Sequence, residues 1–211
     1  NEEQRLLKDT AKEFLAANAP VEALRKLRDD KDELGYDKAL WAQMAELGWA
    51  SIVLPEEYDG LDFGFMGLGA IIEEMGHTLT ATPLFSTVVL GASVLMLAGS
   101  DAQKQASLPA IAAGELTLAL ALEETNHHNP TGVALAAEKA GDSYTLNGKK
   151  TFVLDGHSAD KLIVVARTSG VAGDTDGISL FLVDGNAAGV TRQRTIMADS
   201  RNTANISFDN V

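Results

Sequence analysis

The sequence predicts an α+β protein, with a helical N-terminal half followed by an antiparallel β-barrel or sandwich. Two observations carry this. Apolar residues recur at helical spacing up to about Gly114 and alternate with polar residues beyond it. The alternating half is cut by short turn pairs, among them Gly141-Asp142, Asn147-Gly148 and Asp155-Gly156, at the strand spacing of a small barrel or sandwich. A domain boundary is therefore expected near Gly114, giving a helical domain over residues 1–114 and a β domain over 115–211.

Each helix has a local reason. From Glu2 to Asn18, Leu6, Leu7, Phe14 and Leu15 fall on one face among Lys and Glu, and Pro20 ends the run. Val21–Asp30 continues as a shorter charged helix. Tyr36–Leu47 is a third, with Asp37 as N-cap and Gly48 past its end. The segment SIVLPEEYDGLDFG crosses as a loop. Phe65–Met75 and Thr82–Ala98 are apolar helices, and Asp101–Ala113 follows with Asp101 as N-cap. Pro109 lies inside that last helix, so a kink or a split is expected.

The strand candidates are Leu116–Leu122, Ala134–Glu138, Ser143–Leu146, Lys150–Leu154, Leu162–Arg167, Ile178–Val183, Val190–Arg194 and Ala204–Phe208. Asn147-Gly148, between two strand-forming runs, is expected to form a two-residue hairpin turn, because both turn positions need positive φ.

Composition narrows the function classes. The chain of 211 residues carries a net charge of −13, which offers no cationic footprint for nucleic acid. There are no cysteines, which excludes disulfides and thiolate metal sites and fits a reducing compartment. The longest apolar stretch, Pro83–Gly99, is short and broken by Ser86, Thr87 and Ser93, so a buried helix is expected rather than a membrane span. No basic segment precedes an apolar core at the N-terminus, and a cytoplasmic protein of bacterial origin is expected.

Several motifs give way to plainer readings. Glu74-Met75-Gly76-His77 and Glu124-Thr125-Asn126-His127 match the Glu-x-x-His of carboxylate-bridged metal pairs. That chemistry needs the motif on two facing helices, and the second copy lies in a loop, so no metal is expected. Gly64, Gly67 and Gly69 follow no strand and serve helix packing rather than a dinucleotide. Glu56-Glu57 reads as a solvated loop, and Ser51, Ser86 and Ser93 lie in no nucleophile elbow. Arg192, Arg194 and Arg201 gather in a chain poor in Arg, and ion pairs with the acidic surface are expected there in preference to a phosphate.

Five segments in order resemble one family. They are Leu47-Gly48 with Leu54-Pro55-Glu56-Glu57-Tyr58-Asp59-Gly60; Gly99 through Gln103-Lys104, Leu108-Pro109 and Gly114-Glu115; Gly141-Asp142-Ser143-Tyr144 through Asn147-Gly148-Lys149-Lys150; Ala166-Arg167-Thr168; and Phe208-Asp209-Asn210-Val211. Together they are similar to the N-terminal helical and middle β domains of acyl-CoA dehydrogenases, over essentially the whole chain. The resemblance implies an FAD enzyme that oxidises an acyl-CoA thioester to its 2,3-enoyl form. In that chemistry hydrogen bonds to the thioester oxygen stabilise the enolate, and a carboxylate in a desolvated pocket removes the α-proton. The family's base usually lies in a C-terminal helical bundle, so no catalytic residue is assigned here.

The resemblance places the cofactor-binding positions at Leu120, Leu122, His128, Phe152 and Leu154. Three depart from the family's "TEPGAGSD" and "WITN" patterns: Leu122 and Leu154 stand where Thr is usual, and His128 where Ser is usual. Each lost hydroxyl removes a hydrogen bond worth about 0.5–1.5 kcal/mol net. His127 and His128 remain open between donors to a ligand and plain loop residues. The implied partners are an acyl-CoA substrate, an electron-transfer flavoprotein as acceptor, and other subunits in a homo- or hetero-oligomer. A flavin-free structural subunit of a mixed complex is the alternative.

Overall fold

The computed structural model describes residues 2–211, which fall into two compact units, one ending at Leu116 and one running Thr117–Val211. The first is helical. Its helices are α1 (Glu2–Asn18), α2 (Val21–Asp29), α3 (Lys38–Glu46), α4 (Phe65–Thr78), α5 (Ser93–Ala98) and α6 (Asp101–Ala112).

α1 packs along α4 and sends Phe14 edge-on to Trp49, with ring centroids 5.3 Å apart. Asp37 caps α3 as expected, accepting from the amides of Ala39 (2.7 Å) and Leu40 (3.3 Å). The cap of α6 is Ser100 rather than Asp101. Its hydroxyl accepts from the Gln103 amide while the Gln103 side chain accepts from the Ser100 amide, a reciprocal pair that satisfies two orphan donors. α6 runs through Pro109 without splitting.

The expected helix Thr82–Ala98 is two segments. Phe85–Ala92 winds as a π-helix and passes directly into α5. The loop between α3 and α4 is folded on itself: the amides of Leu61, Asp62 and Phe63 donate to the carbonyls of Ser51, Leu54 and Ile52 around a 3₁₀ turn at Glu56–Tyr58. Gly114 closes the unit at φ 74°; a Cβ there would lie 2.6 Å from the Ala45 Cβ, and its carbonyl accepts from Trp41 Nε1 at 2.8 Å. No helix among the described residues is long and apolar enough to cross a membrane.

The second unit holds β1 (Leu118–Ala121), β2 (Ala136–Ala140), β3 (Ser143–Leu154), β4 (Lys161–Arg167), β5 (Ile178–Asp184), β6 (Val190–Ile196) and β7 (Asn202–Phe208). The sheet runs β1-β4-β2-β3-β7-β6, with β5 on β4. It is mixed, because β1 and β4 are parallel and the link from β4 to β2 is the parallel pair Ala136↔Arg167. Inward side chains from alternating positions, among them Ala119, Ala121, Leu146, Leu162, Val164, Ala166, Ala204, Ile206 and Phe208, make its core.

One expectation fails here. Asn147-Gly148 is no hairpin turn; it lies inside the continuous strand β3, and the two-residue turn is Gly141-Asp142, between Ala140 and its partner Ser143. Asn147 and Gly148 mark where β3 changes partner, from β2 (through Asn147) to β7 (from Gly148). The glycine is needed because Leu135 crosses closely: a Cβ at Gly148 would meet Leu135 Cγ at 2.8 Å and its Cα at 2.9 Å. Asn147 Oδ1 accepts from the Asn210 amide at 2.9 Å, and Leu146 and Val211 exchange backbone bonds of 2.7 and 3.2 Å. The polar pair that looks like a turn docks the last residues of the chain.

Candidate functional site

The sequence-predicted positions lie on β1, on the loop that follows it, and on the far half of β3. Leu120 is half-buried and opposite Ile163; the alternation that points Ala119 and Ala121 inward turns Leu120 and Leu122 to the other face. Leu122 sits one residue past the strand, also half-buried. Phe152 is 53% exposed, and Leu154 is half-buried opposite Thr203.

A β-bulge governs the β3 positions. Register against β7 shifts between Lys150 and Val153, and Phe152 takes a left-handed φ of 51°. Before the bulge Leu146 and Lys150 are buried; after it Val153 is. The extra residue reverses the alternation, so Val153 joins the core while Phe152 stays on the surface. A bulky residue at positive φ costs about 1–3 kcal/mol, and such positions cluster at ligand sites.

Leu122 and Phe152 come onto neighbouring segments. The Thr151 amide donates to the Glu123 carbonyl at 2.8 Å, and Lys150 Nζ donates to the Leu122 carbonyl at 3.0 Å. His128 is directed elsewhere, out on the exposed loop with Nδ1 2.5 Å from Glu123 Oε1. Glu123 also accepts from the Asn129 amide at 3.2 Å.

The polar anchors of this region are residues the sequence reading assigned no role. Lys150 is buried, with Nζ 2.7 Å from Glu124 Oε1. Burial pushes its ammonium below the ordinary lysine range, and Glu124 opposes that shift. The same carboxylate accepts from the amides of Ala134 (2.8 Å) and Leu135 (3.0 Å), closing the base of the loop. Arg167, also buried, donates to the carbonyls of Val133 (2.7 Å), Thr131 (3.2 Å), Ser169 (3.2 Å), Asp174 (3.1 Å) and Asp176 (2.8 Å). One signal for Lys150 was available: in β3 it shares the inward alternation of Leu146, and a charge there needs a partner. Nothing local marked Arg167 as a hub of carbonyls.

The other candidates resolve differently. Glu73, Glu74 and His77 bring ligand atoms within 4.8 Å of one another, and Lys8 already meets the carboxylates, with Nζ 2.8 Å from Glu73 and 3.7 Å from Glu74. Glu124, in the second Glu-x-x-His match, is committed to Lys150. Arg192 donates to the Ala159 carbonyl (2.9 Å) and Asn186 Oδ1 (2.6 Å), and the partners of Arg194 include Asn202 Oδ1 (2.6 Å).

With two such units joined in one chain, the sequence can be set beside known families. Residues 1–115 match the acyl-CoA dehydrogenase N-terminal domain, and residues 119–211 match the middle domain. The chain belongs to the acyl-CoA dehydrogenase family. It is 33% identical over 193 residues to a 3-(aryl)acrylate reductase of Clostridium sporogenes, covering 90% of this chain and 50% of that protein. It is 32% identical over 200 residues to the mitochondrial isovaleryl-CoA dehydrogenase of Pongo abelii, covering 93% and 47%. Among solved structures, the ChsE4-ChsE5 complex of Mycobacterium tuberculosis superposes with a TM-score of 0.86 at 27% identity, covering 100% of this chain and 55% of that one. The chain thus spans about half the length of the curated relatives it matches.

Proposed function

We propose that this chain forms the helical and middle domains of an FAD-dependent acyl-CoA dehydrogenase. Membership of the family supports the class, and the placement of Phe152 supports the cofactor: an aromatic ring is held half-exposed in a left-handed bulge, beside the segment that carries Leu122. An apolar planar group fits such a surface. Its polar edge would take hydrogen bonds from backbone amides of the loop after β1, because Leu122 and Leu154 have no hydroxyl to donate.

Bound flavin supplies the acceptor for the hydride that leaves the β-carbon. This chain's part is to present Phe152, Leu122 and Leu154 to the ring, and Leu120 behind them on β1, while the loop carrying His128 borders the ligand. The base that takes the α-proton is proposed to lie in the half of the relatives' length that this chain does not span. An acyl-CoA is the proposed substrate and an electron-transfer flavoprotein the proposed acceptor. The two-component M. tuberculosis neighbour supports assembly into an oligomer.

The test is the purified full-length protein. Visible flavin absorbance that bleaches on anaerobic addition of an acyl-CoA is the expected result. A colourless protein that does not reconstitute with FAD overturns the reading in favour of a flavin-free subunit. Because one relative is named a reductase, the assay is run in both directions, with enoyl and aryl-acrylate substrates in the second.

A further inference from the structure

The loop from Thr125 to Val133 is held at both ends by buried cations, and neither contact is local in sequence. At its base, the Glu124 carboxylate takes the Lys150 ammonium and the amides of Ala134 and Leu135, so one side chain pins the entry and the exit of the loop to β3. Lys150 also holds the Leu122 carbonyl, and its neighbour Thr151 holds the Glu123 carbonyl. At the far end Arg167 grips the carbonyls of Thr131 and Val133. Lys150 lies two residues before Phe152, on the strand segment that enters the bulge. Its side chain thus connects the loop to the strand segment that enters the bulge.

We propose that Lys150 is a positioning residue, which acts through Glu124 to hold the loop Thr125–Val133 and the Phe152 bulge in the register that receives the flavin. The inference rests on the function proposed above. It also explains how a cofactor surface lacking hydroxyls at positions 122 and 154 keeps its shape. With fewer side-chain hydrogen bonds to the ligand, more of the fit falls to backbone amides, and those are placed by the clamp. A carboxylate shared by one ammonium and two amides is fixed by three donors, so the clamp is held more firmly than a single exposed ion pair.

The experiment compares full-length Lys150→Met with Val183→Ala, a core substitution on β5 outside the clamp, after matching their loss of thermal midpoint. The expected result is FAD affinity lowered about tenfold or more in Lys150→Met, with faster amide exchange at Ala134, Leu135 and the loop, and neither change in Val183→Ala. Equal loss of FAD affinity in both variants, or exchange raised uniformly over the β unit, would show Lys150 to be merely structural and overturn the proposal. If Lys150→Met does not fold, Glu124→Gln replaces it, since an amide oxygen still accepts from one backbone amide, and the same outcomes apply. If the wild-type protein binds no FAD, the proposed function fails. The flavin-positioning role then falls with it, and only the hold of Lys150 on the loop is judged by amide exchange, where a change confined to the loop upholds that hold and no change removes it.

Discussion

The two units are stabilised by different means. In the helical unit many polar contacts are local, spanning two to four residues: Asp37 caps α3, Ser100 and Gln103 close the start of α6, and Lys26 pairs with Asp30 at 2.6 Å one turn away, while Trp41 with Gly114 and Lys8 with Glu73 reach farther. In the β unit they act across long separations. Lys150 meets Glu124, Arg167 meets Val133, Asp160 meets Thr117, and Asn147 meets Asn210. Helices satisfy their backbone internally and need help only at their ends. A mixed sheet joined by loops leaves amides and carbonyls that distant side chains must satisfy. Damage to a polar residue should therefore be mild and confined in the first unit, and severe and spread in the second.

The largest effect is expected at Arg167. Arg167→Met strips donors from five carbonyls and should cost about 3–5 kcal/mol of the β unit's stability, read as a lowered urea midpoint. A loss under roughly 1 kcal/mol would mean that water replaces the guanidinium, and the comparison would break. Gly148→Ala comes next. Its methyl would press on Leu135 where β3 changes partner, for about 2–3 kcal/mol, with exchange accelerated in both β2 and β7 if the handover is a single point of failure.

Asp160→Ala removes an acceptor of the Thr117 amide (2.8 Å) and hydroxyl (2.7 Å) and should cost about 1.5–2 kcal/mol, with fraying of β1 visible by amide exchange. Ser100→Ala opens the capping box for about 1 kcal/mol, with exchange rising only in the first turn of α6. Loss of protection throughout the helical unit would show that its caps are not the local devices described here. The smallest effect is at Phe152. Phe152→Gly relieves a left-handed residue and should raise stability by up to about 1 kcal/mol while weakening FAD binding. A variant that binds FAD as tightly as wild type would place the flavin elsewhere.

The same contrast decides what could be read in advance. α1 spans the residues its pattern predicts, because a run without Gly or Pro ended by Pro20 leaves little choice. The N-cap of α6 slipped by one residue, since Ser100 and Asp101 are both good caps and only the partner Gln103 tells them apart. Asn147-Gly148 misled for a deeper reason. Its turn propensity is real, but Leu135 and the last residues of the chain claim both positions for packing. At the candidate site, the resemblance proposes Phe152 and Leu122, and the bulge that orients Phe152 was not legible, because a register shift exists only between two strands.

By itself the sequence determined the two-part architecture, most of the helices with their ends, the places of the strands and the family. Each of these follows from apolar period and short-range turn or cap chemistry, which neighbouring residues suffice to express. The tertiary structure alone decided the strand order, the parallel pairing of β1 with β4, the role of Asn147 and Gly148, and the union of Lys150 with Glu124 and of Arg167 with the carbonyls of Thr131 and Val133. Those depend on desolvation and on contacts between residues tens of positions apart, and no local pattern records which distant partner a buried charge will find.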